Sequence, residues 1–114
     1  MAFDVDKKRV TVAGAARSGV AAAELLARRG AHVTLSDSRA ELPDADRLRG
    51  LGIALELGGH TRETFAAADL VVLSPGVAPD QEAVQAARDR GVPVVAEIEL
   101  ASRWFSKIRA LAAP

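Results

Sequence analysis

The sequence predicts an α/β domain: a Rossmann-like, doubly wound sheet of five mainly parallel strands with helices on both faces. Three observations carry that prediction. Five short runs rich in Val, Leu and Ile recur along the chain, each closed by Gly, Pro, Asp or Glu. Segments with helix start and stop signals lie between them. None of the runs alternates clearly between apolar and polar residues, which is the pattern of strands buried on both faces of a parallel sheet.

The first strand is read over residues 10–13, a β-branched run ending at Gly14. A helix follows over 20–29, with Ser18 placed as its N-cap, Arg28 and Arg29 at the negative end of its dipole, and Gly30 as its left-handed stop. Ala21, Ala22 and Ala23 let that helix lie close on a sheet. Residues 32–36 form the second strand and complete a right-handed βαβ unit. A short helix is expected over 43–50, with Asp44 and Asp46 at its start and Gly50 at its stop. The third strand is read at 53–57, broken by Gly58, Gly59 and His60. Thr61 is placed to cap a short helix through Ala67, and 69–73 is the most strongly β-like run. Asp80 is placed to cap a helix to about Arg90, and Gly91 stops it. Residues 92–96 supply the fifth strand, and a last helix is expected from Glu97 through Trp104.

Composition sets the outer bounds. At 114 residues one compact domain is expected, assigned to residues 1–106, with 107–114 as a linker. Leu, Ile, Val and Phe make up about a quarter of the chain, above the roughly 20% floor associated with disorder. Fifteen basic residues balance fifteen acidic ones, so no whole-molecule field attracts nucleic acid or an anionic membrane, and neither is expected as a partner. There is no cysteine, hence no disulfide and no thiolate metal site. The first residues lack the apolar stretch of a signal peptide, and no run approaches the roughly 18 apolar residues of a membrane span. A soluble cytoplasmic protein is expected.

Open parallel sheets bind ligands outside the carboxyl ends of their strands. Three turns stand there. Gly14-Ala15-Ala16-Arg17-Ser18-Gly19 places glycines and the free N–H groups of a helix start where a phosphate can dock. It departs from G-x-G-x-x-G at Ala16, where a methyl group restricts the backbone's approach to a pyrophosphate. The same residues also fit a plain strand-to-helix turn. Asp37 lies 23 residues after Gly14, near the spacing of a ribose-binding acid; it fits equally a contact to another nucleotide or a turn-forming aspartate. Ser74-Pro75-Gly76 offers a hydroxyl, a fixed φ and a permissive glycine.

Several chemistries lack their residues. There is no G-x-x-x-x-G-K-[ST] motif. His32 and His60 have no Cys or paired-His context for a metal, and His60 reads as a loop residue. Ser18 and Ser74 have no evident His and Asp partners, so a serine nucleophile is not expected. Trp104 and Phe105 read as packing or inter-domain contacts.

Together, residues 12–19 with their alanine-rich helix, Asp37-Ser38-Arg39, residues 68–77 and Glu97-Ile98-Glu99-Leu100 resemble the Mur ligases of peptidoglycan synthesis. The resemblance covers essentially the whole chain. Its most characteristic pair is Ser74-Pro75-Gly76-Val77 followed by Glu97-Ile98-Glu99-Leu100. It implies a Rossmann-like N-terminal domain that holds the UDP part of UDP-N-acetylmuramoyl-L-alanine without a nicotinamide cofactor. By the resemblance, Ala16, Arg17 and Ser18, with Gly19, lie against the diphosphate, Asp37 and Ser38 meet the uracil, Ser74, Pro75 and Gly76 complete the uridine side, and Gly14 is counted with these UDP-binding residues. Ala16 stands where many members have glycine.

Family members continue into a central ATPase domain and a C-terminal domain, which are the partners the resemblance implies. There an acyl phosphate is formed with ATP and magnesium and attacked by D-glutamate. Residues 107–114 stand where the strand into the ATP phosphate loop would begin. The expectation is a substrate-anchoring domain that carries no cofactor, no metal and no catalytic residue of its own. Two other readings fit the residues alone: a nicotinamide-binding Rossmann domain, from the βαβ unit and Asp37, and an interaction domain built around Trp104 and Phe105.

Overall fold

The computed structural model describes residues 5–97 and 99. Its strands are β1 (Arg9–Ala13), β2 (His32–Asp37), β3 (Ala54–Leu57), β4 (Leu70–Leu73) and β5 (Val94–Ala96). They form one sheet in the order β3-β2-β1-β4-β5, and every neighbouring pair is parallel. Helices α1 (Arg17–Arg28), α2 (Ala45–Gly50), α3 (Arg62–Ala66) and α4 (Glu82–Asp89) alternate with the strands. The doubly wound α/β class read from the sequence is the class observed. From β1 the chain builds outward through β2 to β3, then returns to the other side of β1 for β4 and β5. The switch point therefore lies between β1 and β4.

Two apolar layers cover the sheet. Val10, Val12, Val33, Leu35, Leu70 and Val72 pack on one face against Ala23 and Leu26 of α1 and Leu48 of α2. Ala13 and Val71 pack on the other against Phe65 of α3 and Ala83, Val84 and Ala87 of α4. Both layers draw on β1 and β4, which explains why those strands are buried on both faces, with Thr11 the one polar side chain buried in them. β2 and β3 are different. Val33 and Leu35 enter the core, whereas the intervening Thr34 and Ser36 share the opposite face with Ala54 and Glu56, their partners in register. Polar contacts cover that face at the carboxyl end of β2, so burial on both faces does not mean apolar packing on both.

Several helix starts differ from the expected ones. α1 begins at Arg17, with Ala16 at the cap and no capping side chain. Gly14, at φ +101°, completes the turn early, so Ser18 falls inside the first helical turn instead of capping it. α4 begins at Glu82, and Gln81, not Asp80, caps it: its side-chain oxygen accepts from Ala83 N–H at 2.7 Å and Val84 N–H at 3.4 Å. Thr61 holds the cap position of α3 without a side-chain cap bond. α2 starts at Ala45, two residues past Pro43, and β5 starts at Val94, just after Pro93. Gly30 ends α1 at φ +89° as expected. Of the helix expected from Glu97, only Glu97 and Glu99 are described, and both are helical; Trp104, Phe105 and the linker over 107–114 lie outside the described residues.

Gly19, Ala23 and Leu26 are the buried residues of α1, spaced to form one helical face. At Gly19 the fit is tightest, since a Cβ there would stand 2.0 Å from the Gly14 carbonyl oxygen and 2.9 Å from Ser74 Oγ. No rotamer change relieves a clash with backbone, so α1 or the turn must move. Gly19→Ala is expected to lower the unfolding free energy in urea by about 2–3 kcal/mol or to prevent folding. Gly50→Ala, where a Cβ meets nothing within 4 Å, should be neutral or stabilising.

Candidate functional site

The carboxyl ends of β1, β2 and β4 open into one cleft of about 560 Å³. Gly14, Ala15, Ala16 and Ser18 line it from the β1–α1 turn, Asp37, Ser38 and Arg39 from the end of β2, and Ser74, Pro75 and Gly76 from the end of β4. His60 joins them from the loop after β3. Eight of the ten residues singled out in the sequence thus share one wall. The other two do not line it: Gly19 is buried beneath the turn as the packing contact described above, and Arg17 is exposed outside it. A second hollow, of about 330 Å³, lies at the amino ends of β1 and β2 beside Arg9, His32 and Gly52, away from all three turns.

The cleft's floor is made by close backbone approach. Gly14 N–H donates to the Ser36 carbonyl at 2.7 Å, and Ser74 N–H donates to the Ala13 carbonyl at 3.0 Å, which extends the sheet past both strands. A Cβ at Gly14 would sit 2.8 Å from Ser74 Cβ. Ser74 is buried, and its Oγ donates to Glu97 Oε2 at 2.8 Å, with the Gly14 carbonyl oxygen 3.1 Å from the same hydroxyl. The hydroxyl that the sequence offers as a ligand group therefore also ties the β1 and β4 turns to the segment after β5.

Above this floor, Asp37 organises the β1–α1 turn. Its Oδ1 accepts from Ala15 N–H at 2.8 Å, and its Oδ2 accepts from Arg39 N–H at 2.8 Å and Arg39 Nε at 2.9 Å. Arg39 Nη2 donates onward to the Ala15 carbonyl at 2.7 Å, closing a ring of contacts across the turn. Burial by itself raises the pKa of Asp37; the hydrogen bonds from Ala15 and Arg39, with the guanidinium charge, outweigh it and hold the carboxyl below its ordinary value. Beside this clamp α1 presents its N-terminus. Ala16 is extended, no side chain caps the helix, and its first turn holds no acidic residue. That end combines free N–H groups with the positive pole of the helix dipole, the arrangement that receives an anionic oxygen.

Behind His60 lies a polar set that the sequence reading did not single out. Ser36 Oγ donates to Glu56 Oε1 at 2.7 Å, and His60 Nδ1 is 2.7 Å from the same Oγ. Glu56 also accepts from Thr61 N–H at 3.0 Å and from Thr64 Oγ1 at 2.6 Å. Here too burial raises the pKa, and the bonds from Thr64, Thr61 and Ser36 outweigh it, so Glu56 stays ionised in neutral solution. The order of groups is His–Ser–Glu and Ser36 is fully buried, so the set is not a nucleophilic triad, which needs the imidazole between hydroxyl and acid. Two features of the sequence point to it: residues 33–36, grouped above with the runs that do not alternate, do alternate as Val-Thr-Leu-Ser, and Glu56 is a charge in the interior of a strand, whereas Arg9 and Asp37 stand at strand ends. Among the described residues no group of three or more His, Cys, Asp or Glu is placed to hold a metal.

A family profile described as the Mur ligase MurD-like N-terminal domain matches residues 8–96. The chain belongs to the MurD-like family of Mur ligases. Its relatives include the UDP-N-acetylmuramoylalanine–D-glutamate ligases of Anaeromyxobacter dehalogenans, 53% identical over 99 residues, and of Geobacter metallireducens, 48% identical over 107. These matches cover 85% and 91% of this chain but 21% and 24% of those proteins, so the MurD-like chain spans about a quarter of their length or less. Among solved structures, a pseudomurein peptide ligase type C from Methanothermus fervidus superposes with a TM-score of 0.67 at 26% identity, over 77% of this chain and 18% of that one. The A chain of dipicolinate synthase from Bacillus subtilis reaches 0.64 at 14% identity, over 96% of this chain and 48% of that one, a likeness of fold alone.

The clamp yields a pH dependence of defined sign. A carboxyl whose folded pKa lies below its unfolded value, near 4, contributes stability that is present above that value and lost as pH falls through the folded one. Unfolding free energy should therefore decline as pH is lowered from about 5 toward 2. Asp37→Asn, which leaves the Arg39 donors facing an amide, should cost about 1–3 kcal/mol at pH 7 and flatten that decline, as read by urea unfolding across the pH series.

Proposed function

We propose that this MurD-like domain anchors the uridine diphosphate end of UDP-N-acetylmuramoyl-L-alanine for a ligase that adds D-glutamate to it. The observation that carries this reading is convergence: three turns far apart in sequence meet at the β1/β4 switch point, around the uncapped N-terminus of α1. An open α/β sheet receives a nucleotide in that crevice. In this arrangement the diphosphate lies at the β1–α1 turn, against the amides that follow Ala16. The uridine extends over Asp37, Ser38 and Arg39, with Ser74, Pro75 and Gly76 opposite. The names of the relatives, UDP-N-acetylmuramoylalanine–D-glutamate ligases, supply the identity of the sugar and of the incoming amino acid.

The domain's role in this proposal is binding, not turnover. The sequence has no phosphate-loop lysine motif for ATP, so ATP, magnesium and the acyl-transfer step belong to the central and C-terminal domains of the same enzyme. The reaction it serves takes place in the cytoplasm. The nicotinamide reading is disfavoured by one observation: both Asp37 oxygens already accept from Ala15 and Arg39, which leaves the carboxylate poorly placed to take up a ribose diol as well.

A protein-observed NMR titration tests the proposal with UDP-N-acetylmuramoyl-L-alanine, UDP and NADH in parallel. Saturable shifts with both uridine compounds are expected at the amides of residues 14–19, 37–39 and 74–77, with none from NADH. Shifts with NADH alone, or silence with all three, would overturn the reading.

A further inference from the structure

His60 lies on the cleft wall, half-buried, in a loop bound to the end of β2. Gly58 N–H donates to the Arg39 carbonyl at 2.8 Å and Gly59 N–H to the Asp37 carbonyl at 3.2 Å, so the ring is carried by the same backbone that presents Asp37, Ser38 and Arg39. Phe65, fully buried, meets the imidazole edge to face with ring centroids 5.6 Å apart and fixes its plane.

The proton on the ring follows from its partners. Ser36 has one hydroxyl proton and two neighbours within hydrogen-bond distance, Glu56 Oε1 and His60 Nδ1, each at 2.7 Å. An ionised carboxylate can only accept. If the hydroxyl proton went to His60, the Ser36 and Glu56 oxygens would face each other at 2.7 Å with no proton between them. The proton therefore goes to Glu56, and Ser36 accepts from His60 Nδ1–H. In the neutral imidazole, Nε2 is then the acceptor.

We propose that His60 is a ligand-positioning residue of the cleft, locked by Ser36 and Glu56 as the Nδ1–H tautomer so that Nε2 accepts a hydrogen bond from the nucleoside of the bound uridine nucleotide. The inference rests on the nucleotide reading above and extends it to a residue outside the three turns. The nucleoside is the part addressed, because the ring stands at the end of β2, on the far side of that strand from the α1 N-terminus that faces the diphosphate. Two groups there have the required chemistry, the uracil imide N–H and a ribose hydroxyl.

The experiment combines a tautomer measurement with binding by His60→Asn. Asparagine keeps an N–H donor near Nδ1 for Ser36 and has no counterpart of Nε2. Long-range ¹H–¹⁵N spectra of the unliganded chain, with the ring neutral, should show Nδ1 protonated and Nε2 bare; Nε2–H as the major form would overturn the proposal. His60→Asn should retain the wild-type fold by amide fingerprint and bind UDP about five- to tenfold more weakly, the loss of one hydrogen bond. UDP methylated at N3, 2′-deoxy-UDP and 3′-deoxy-UDP identify the donor: the analogue that already lacks it should bind wild type and variant equally. Equal UDP affinity in wild type and variant would overturn the contact while leaving the nucleotide reading intact. No UDP binding by the wild type would overturn both.

Discussion

Everything at the carboxyl edge of this sheet depends on how closely the β1 and β4 turns approach each other. Gly14 and Gly19 leave no room for a side chain between the two turns, and Ser74 fills the space that remains. That contact brings the amino end of α1 onto the switch point without a capping side chain. It also fixes the Ala15 backbone where Asp37 and Arg39 can hold it from β2. A larger residue at either glycine would separate β1 from β4 at the place where the crevice opens, and the clamp and the helix terminus would lose their common reference.

Polar groups are then committed in an order that separates scaffold from ligand surface. The Asp37 carboxylate, conspicuous in the sequence as a candidate ligand group, spends its oxygens on Ala15 and Arg39. The Ser74 hydroxyl is likewise engaged, with Glu97. What the cleft keeps open is mostly backbone: the N–H groups at the start of α1 and the exposed turn residues Ala16, Ser38, Pro75 and Gly76. A surface of that kind suits a phosphate and a nucleobase, which are read by amides and shape, better than a substrate that needs a reactive side chain.

The fold was legible because β1 and β4 are short, largely apolar runs buried on both faces and because Gly30 and Gly91 mark helix ends at positive φ. The turns at Gly14, Asp37 and Ser74 were legible because each follows a strand. Helix starts were less so. Ser18 and Asp80 are good capping residues in isolation, but the backbone enters α1 before Ser18 and α4 after Asp80, and the cap is set by where the turn closes. The Ser36, Glu56 and His60 set escaped for a different reason: its members come from β2, β3 and the loop after it, and only the parallel register of Ser36 opposite Glu56 brings them together. Arg39, quoted in the sequence only as part of Asp37-Ser38-Arg39, received no role there because an exposed arginine after a strand looks the same whether it clamps a turn or points into water.

The most direct measurement of the central claim is an experimental structure of the chain with UDP bound. The account predicts the diphosphate on the amides that follow Ala16, with the uridine over Asp37, Ser38 and Arg39 and its edge toward His60. Nucleotide bound elsewhere on the surface, or in the cleft with the base at the α1 N-terminus and the phosphates at the end of β2, would contradict it.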